Sequence, residues 1–336
     1  MAAYLARRLI LALFTIWVIS ILTFVIIELP AGDTADAVMN NLMDTGSTGY
    51  SPEVAENLRR YLGLDQPQYV RYFKWIGNLL RGDPGFSMTP RSGPDGIRPI
   101  KAQIGDRLWI TVALTGFTVL VTWTFAIPVG IYSAVRQHSV GDYVFTLAGF
   151  TGLAVPDFLL GLVLMYIGFA YFNQSVGGLF SADYQNAPWD LWKLWDLLKH
   201  LWIPAVVLGT SGTAGLIRVM RNNLLDELRK PYVVTARAKG AAAWKLILKY
   251  PVRVAINPLV STAGYLLPSL VSGSIIVSVV LSLPTLGPIL LRAIQLQDPY
   301  TAGFIILMLG TLTVIGTLVS DVLLAIVDPR IKIVGQ

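Results

Sequence analysis

Apolar positions in this chain gather into long blocks instead of alternating with polar ones. Six such blocks stand out, at 9–29, 108–135, 144–172, 201–217, 256–281 and 301–327. Most reach the roughly 20 residues that a helix needs to cross a bilayer core. Pro156 and Asp157 interrupt the third block, and the short fourth block carries Gly209, Gly212 and Gly215. Between the first two blocks the pattern changes. Glu53 to Leu62 and Tyr69 to Leu80 read as short amphipathic helices, the second carrying Tyr72, Phe73, Trp75 and Ile76. Pro84, Pro90, Pro94 and Pro99 mark irregular connections there. The pattern predicts an all-α integral membrane protein with six transmembrane helices. It divides into residues 1–29 with the first helix, an extramembrane segment over 30–107, and a core at 108–336 that holds the other five helices. Arg7 and Arg8 precede the first block as they would in a signal peptide. Its apolar run exceeds the roughly 7–15 residues of such a core, so a retained helix is expected.

Charge orients the blocks. Arg7 and Arg8 place the N-terminus in the cytoplasm by the positive-inside rule. Four crossings then put loop 218–255 inside as well. That loop carries Arg218, Arg221, Arg229, Lys230, Arg237, Lys239, Lys245, Lys249 and Arg253 against Asp226 and Glu227. Arg330 and Lys332 follow the last block, so the C-terminus is also cytoplasmic. Segment 30–107 falls outside. It holds nine basic and nine acidic residues, and long loops are exempt from the rule. Trp189, Trp192, Trp195 and Trp202 flank the fourth block, as tryptophans do at a membrane interface.

Composition narrows the function. The 336 residues are 54% hydrophobic and 14% charged, against about 25% charged in a soluble domain. The net charge of +6 clusters beside apolar blocks, where orientation accounts for it without nucleic acid. With no cysteine, disulfides and thiolate metal sites are excluded. His138 and His200 are the only histidines and lie far apart, so neither a metal centre nor a catalytic triad is expected. No Gly-x-x-x-x-Gly-Lys-Ser/Thr stretch occurs, so the chain has no phosphate-cradling loop. A transporter of this kind draws its energy from a partner or from an ion gradient. Asp157 sits inside a block, where a carboxylate is costly. It faces either a translocation path or a satisfied polar interface. Glu28 and Asp321 lie nearer block ends and read as structural.

The segment from Lys230 to Gly240, Lys-Pro-Tyr-Val-Val-Thr-Ala-Arg-Ala-Lys-Gly, is helix-forming, with small residues between cations. It resembles the "EAA" loop of ABC-importer permeases in the version used by the dipeptide/oligopeptide/nickel group. The matching residues are Tyr232, Val233, Thr235, Ala236, Arg237, Ala238, Lys239 and Gly240, followed by Arg253, Asn257 and Pro258. Further stretches resemble the first-subunit, or B-type, permeases of that group: Leu62 to Pro67, Trp75 to Gly82, Pro156-Asp157-Phe158 with Gly161, and Asp328 to Ile331. The likeness covers nearly the whole chain in order. Departures lie at Ser278, where relatives often carry Glu, at Pro284-Thr285-Leu286-Gly287, and at Gln297-Asp298.

The resemblance implies a type I ABC importer permease fold in a bacterial inner membrane. It implies that the chain forms half of a translocation path, completed by a second related permease. Two ATP-binding subunits that carry ATP and magnesium would bind inside, and an extracytoplasmic solute-binding protein would deliver substrate outside. Peptides are the first expected substrate, with oligosaccharides as the alternative, which Ser278 favours. On this reading Tyr232, Thr235, Ala236, Arg237, Ala238, Lys239 and Gly240 couple to the ATPase. Pro156, Asp157 and Ser278 are the candidates for the path. The chain binds no cofactor and is not an enzyme. An ion-coupled secondary transporter is the rival from another class, though no clear internal repeat supports it.

Overall fold

The computed structural model describes residues 2–29, 63–87, 98–172, 177–185, 187–261, 275–296 and 298–327, with scattered positions at 35, 53, 56, 57, 59, 60 and 174. Helices dominate: α1 Ala2–Glu28, α2 Gln68–Leu80, α3 Ile100–Val135, α4 Val140–Ala154, α5 Asp157–Phe172 and α6 Leu191–Leu228. Three short helices follow, α7 Pro231–Ala238, α8 Ala243–Lys249 and α9 Pro251–Ala255, and then α10 Leu286–Gln295 and α11 Pro299–Val327. A two-residue antiparallel ladder pairs β1 Phe86–Ser87 with β2 Arg98–Pro99.

Three helices are long and apolar enough to cross a membrane, over Ala6–Ile26, Ile100–Val135 and Pro299–Leu324. Two bent pairs add up to two more spans: α4 with α5 at 105°, and the two halves of α6 at 55°. Up to five spans are thus accounted for among the described residues. The expected block 256–281 lies largely outside them, at 262–274, as do Asp328 to Ile331, Gln297 and most of the amphipathic stretch before residue 63.

The third expected span is not one kinked helix. Its halves turn by 105°, and the chain at the break explains why. Val155 is extended (φ −83°, ψ 125°), as a residue before proline prefers, and Pro156 has no N–H to continue the ladder. The α4 ladder ends where the Val155 N–H donates to the Thr151 carbonyl at 3.1 Å. The next helix restarts on the Pro156 carbonyl, which accepts from Leu159 at 2.9 Å. The fourth expected span proves much longer than its apolar block. Asp190 caps α6 by accepting the Lys193 N–H at 2.7 Å, so the tryptophan-rich stretch becomes the first turns of the helix. The glycines of that block also divide. A Cβ on Gly209 would stand 2.8 Å from Thr122 Oγ1, whereas one on Gly215 would meet nothing. Only Gly209 is required by close helix approach.

The fold divides into two compact units. The first holds Met1–Leu9, Val112–Pro284 and Ile315–Gln336. Its core joins Ala126 and Ala134 of α3 to Leu216, Met220 and Leu224 of α6, and to Ala255 and Leu259. Gly130 lets α3 approach α6 so closely that a Cβ there would stand 2.7 Å from the Cβ of Met220. Arg8 pairs with Asp321 at 3.0 Å. The second unit holds Ile10–Thr111 and Thr285–Val314. In it α2 lies against α1, with Arg71 paired to Glu28 at 2.6 Å and Tyr72 bonded to Ser20 at 2.8 Å. Asp298 caps α11 by accepting from Thr301 and also accepts from Ser87 Oγ at 2.7 Å. Glu28 and Asp321 are therefore both ion-paired, in keeping with structural roles.

Asp142 is the most deeply buried charge of the first unit, 2% exposed. It accepts from Arg221 Nε at 3.0 Å, from Arg221 Nη2 at 2.9 Å and from the His138 amide at 3.0 Å. Removing one partner of such a pair strands the other charge. Arg221→Met should therefore destabilise the fold by about 3–5 kcal/mol, read as a lowered unfolding midpoint of the purified protein in detergent. The double variant Asp142→Asn/Arg221→Met should lose less than Arg221→Met alone.

Candidate functional site

The basic loop forms two short helices on a fixed base. α6 ends at Leu228, and Arg229 and Lys230 turn the chain. Pro231 opens α7 at its first position, where its preset φ suits a helix start and its missing N–H costs nothing. The end of α7 is equally well specified. The Gly240 N–H donates to the Arg237 carbonyl at 3.0 Å, and the Ala241 N–H donates to the Ala236 carbonyl at 3.3 Å. This is the Schellman pattern, which needs a left-handed residue just past the helix. Gly240 supplies it with φ +78°. The chain then enters α8 and, through Tyr250 and Pro251, α9.

Burial shows which side of the loop holds and which side is offered. Val233 is completely buried, and Leu246 and Pro251 are also buried. α9 returns to α6, where Ala255 joins the core around Met220 and Leu224. The opposite side is open. Tyr232, Thr235, Arg237, Ala238, Lys239 and Gly240 are exposed, and Ala236 is half-buried. Val234 is 60% exposed and Trp244 63%. Lys245 stacks over the Trp244 ring at 5.4 Å, and Lys249 over the Tyr250 ring at 5.7 Å. The structure thus brings all the sequence-predicted loop residues onto α7 and its cap, with Ala236 the least open of them. Val233 as the anchor, and Val234 and Trp244 as exposed apolar groups, were not among those predicted. An aromatic within a run of cations was the available signal for Trp244.

The other candidates are scattered. Pro156 is exposed and Asp157 half-buried, at the first turn of α5. Ser278 is completely buried among neighbouring protein atoms. Pro156 and Asp157 adjoin one another, and Ser278 belongs to a separate helical stretch at 275–280. Among the described residues no group of three His, Cys, Asp or Glu could hold a metal ion.

An apolar helical body that presents a basic loop of short helices on a packed base defines a membrane component. Residues 126–333 match the family described as binding-protein-dependent transport system inner membrane component, and residues 1–115 match the N-terminal region of such components. The chain belongs to that family. It is 34% identical over 332 residues to the oligopeptide transport system permease protein AppB of Bacillus subtilis, covering 99% of this chain and 100% of that one. It is 30% identical over 349 residues to the dipeptide transport system permease protein DppB of Escherichia coli K12, covering 99% of each. A solved structure of the MetNI methionine ABC transporter in inward-facing conformations shares the fold. Its TM-score is 0.53 at 17% identity, covering 68% of this chain and 98% of that one. The type I importer permease architecture inferred from the loop is therefore the fold this chain resembles most of the way along.

The cap geometry is testable by itself. A Cβ at position 240 meets no atom, so Gly240→Ala costs only the left-handed strain, about 1–2 kcal/mol. Gly240→Asn should cost less, because asparagine tolerates this region. Hydrogen exchange at the amides of residues 240 and 241 should quicken in the alanine variant and change little in the asparagine variant.

Proposed function

We propose that this chain is the transmembrane permease subunit of an ATP-binding-cassette importer and forms half of a peptide translocation path. The other half is a second, related permease. Two ATP-binding subunits dock on the loop side and carry ATP and magnesium, and a solute-binding protein delivers substrate on the opposite side. The chain sits in a bacterial inner membrane as six spans with both termini cytoplasmic. Its relatives named for oligopeptide and dipeptide transport support peptides as substrate. Oligosaccharide, the alternative that the family resemblance also implies and that Ser278 favours, has no such support from these named relatives. The family's dependence on a binding protein leaves the ion-coupled reading without support.

The observation that carries the proposal is the open face of α7 and α8. Val234 and Trp244 are exposed, as are Arg237, Lys239 and Lys245 on the same short helices and cap, while Val233 and Leu246 of those helices are buried. An aromatic anchor within a cationic rim suits a partner groove with apolar walls and an acidic edge. Tyr232, Thr235, Ala236, Arg237, Ala238, Lys239 and Gly240 form the coupling helix and its stop. ATP-driven closure of the ATPase pair moves that helix, and the spans follow between inward-open and outward-open states. Pro156 and Asp157, at the break between α4 and α5, are the residues proposed for the path, and Ser278 packs behind it.

Four substitutions test this. Ala236→Glu and Gly240→Asp should leave the chain in the membrane while abolishing ATP-dependent peptide uptake in proteoliposomes. Uptake that survives both would end the docking assignment. Trp244→Ala should weaken ATPase binding by about 2 kcal/mol, roughly thirtyfold, in titrations of the detergent-solubilised permease pair. Asp157→Asn should slow uptake at unchanged protein level, and unchanged uptake would remove Asp157 from the path.

A further inference from the structure

The second unit places α2 at an unexpected depth. Read from the sequence, α2 belongs to an extramembrane segment. Two of its partners on α1, Ser20 and Phe24, lie inside the apolar span Ala6–Ile26, and a third, Glu28, lies just beyond it. The Phe24 ring stands 5.5 Å from Tyr72 and 5.9 Å from Trp75. The Tyr72 hydroxyl reaches Ser20 at 2.8 Å, and Arg71 reaches up to Glu28 at 2.6 Å. At 1.5 Å per residue, Phe24 lies about 3 Å short of Ile26 along the axis and Ser20 about 9 Å short. Beside Phe24 the same turns of α1 expose Leu22, Val25 and Ile26. A bilayer that covers those side chains reaches the level of α2.

The face of α2 turned away from α1 is apolar. Tyr69 is 67% exposed, Phe73 68% and Leu80 85%, at a spacing that forms one helical stripe. Trp75 on the other side is buried. Lys74 and Arg81 lie beside the stripe and are exposed, with stems long enough to carry their charges toward phosphates while their methylenes stay apolar.

We propose that α2 is a membrane-surface helix lying in the leaflet at the Leu29 end of α1, with Tyr69, Phe73 and Leu80 in contact with lipid chains and Lys74 and Arg81 beside lipid phosphates. The stripe lies at the depth where α1 itself exposes Leu22, Val25 and Ile26, and that depth selects lipid over a protein occupant. An aqueous location would leave three large apolar side chains in water beside a helix already wrapped in lipid. The inference rests on α1 spanning the membrane and not on the substrate or the coupling loop.

The absence of native cysteine makes the test direct. Tyr69→Cys, Phe73→Cys and, as a water-facing control, Asp65→Cys are each spin-labelled in the assembled transporter. Any cysteines of the partner subunits are first replaced, and the complex is placed in phosphatidylethanolamine–phosphatidylglycerol vesicles. Power saturation then compares oxygen with a water-soluble nickel chelate. At 69 and 73, oxygen access should exceed nickel access several-fold, and the order should reverse at 65. Nickel access at 69 and 73 matching that at 65 would place α2 in water and overturn the proposal. Low access to both relaxers would also overturn it, because it assigns the stripe to a partner permease or binding protein. Leu80→Cys, at the far end of the stripe, gives an independent reading if Phe73→Cys fails to assemble.

Discussion

The contact between Asp142 and Arg221 sets how firmly the basic loop is held. A carboxylate buried to this degree is tolerated only when its oxygens are filled. Arg221 fills them from α6 with two contacts, and the His138 amide adds a third from the turn before α4. Ser139 caps the same helix by accepting the Asp142 N–H. The first turn of α4 and the C-terminal half of α6 are therefore held to each other by directional bonds, 79 residues apart in the chain. Under the proposed coupling, such a joint would pass a force applied beyond Leu228 to α4 without first unpacking the helices.

Packing continues the joint into the loop. α6 carries α7 through two residues, and α9 folds back so that Ala255 and Leu259 close on Met220 and Leu224. The loop is thus tied to α6 at both ends, with Val233 and Leu246 as interior anchors. What is left outside is a small face with aromatic, aliphatic and cationic groups. In the docking proposed above, desolvating Trp244 and Val234 would give binding energy, while the nearby cations would give orientation. The division between a buried half that resists and an open half that engages is what mechanical coupling through a short helix requires.

The sequence carried some of this plainly and some of it not at all. The Thr235 to Gly240 run announced a helix with a stop because cap chemistry is local, and Gly240 adopts the left-handed conformation that stop needs. Pro156 announced a break, but the 105° turn depends on how α4 and α5 each pack on α6, which spacing does not encode. Asp142 went unnoticed because its partner lies on another helix and no short-range pattern links the two. Gly215 looked equivalent to Gly209, yet only Gly209 meets a neighbour at close range. Trp75 and Tyr72 read as an amphipathic helix of an outer segment, since a hydrophobic stripe states that one face is covered without stating whether protein or lipid covers the other.

The break at Val155 and Pro156 raises a constraint that bears on the transport path. Backbone groups at membrane depth must be satisfied by protein or by water in a cavity. Here Val155 still donates to Thr151, and Pro156 has no donor to satisfy. The break therefore leaves fewer orphan groups than a turn of the same angle built from other residues. Asp157, in the first turn of α5, also sets a negative charge at the positive end of that helix dipole. That local role costs nothing in specificity and accounts for an acidic residue at this position. A contribution of Asp157 to solute passage would come on top of it, through the part of its surface that the fold leaves open. The geometry of the bend thus makes the charge affordable where a straight span would exclude it.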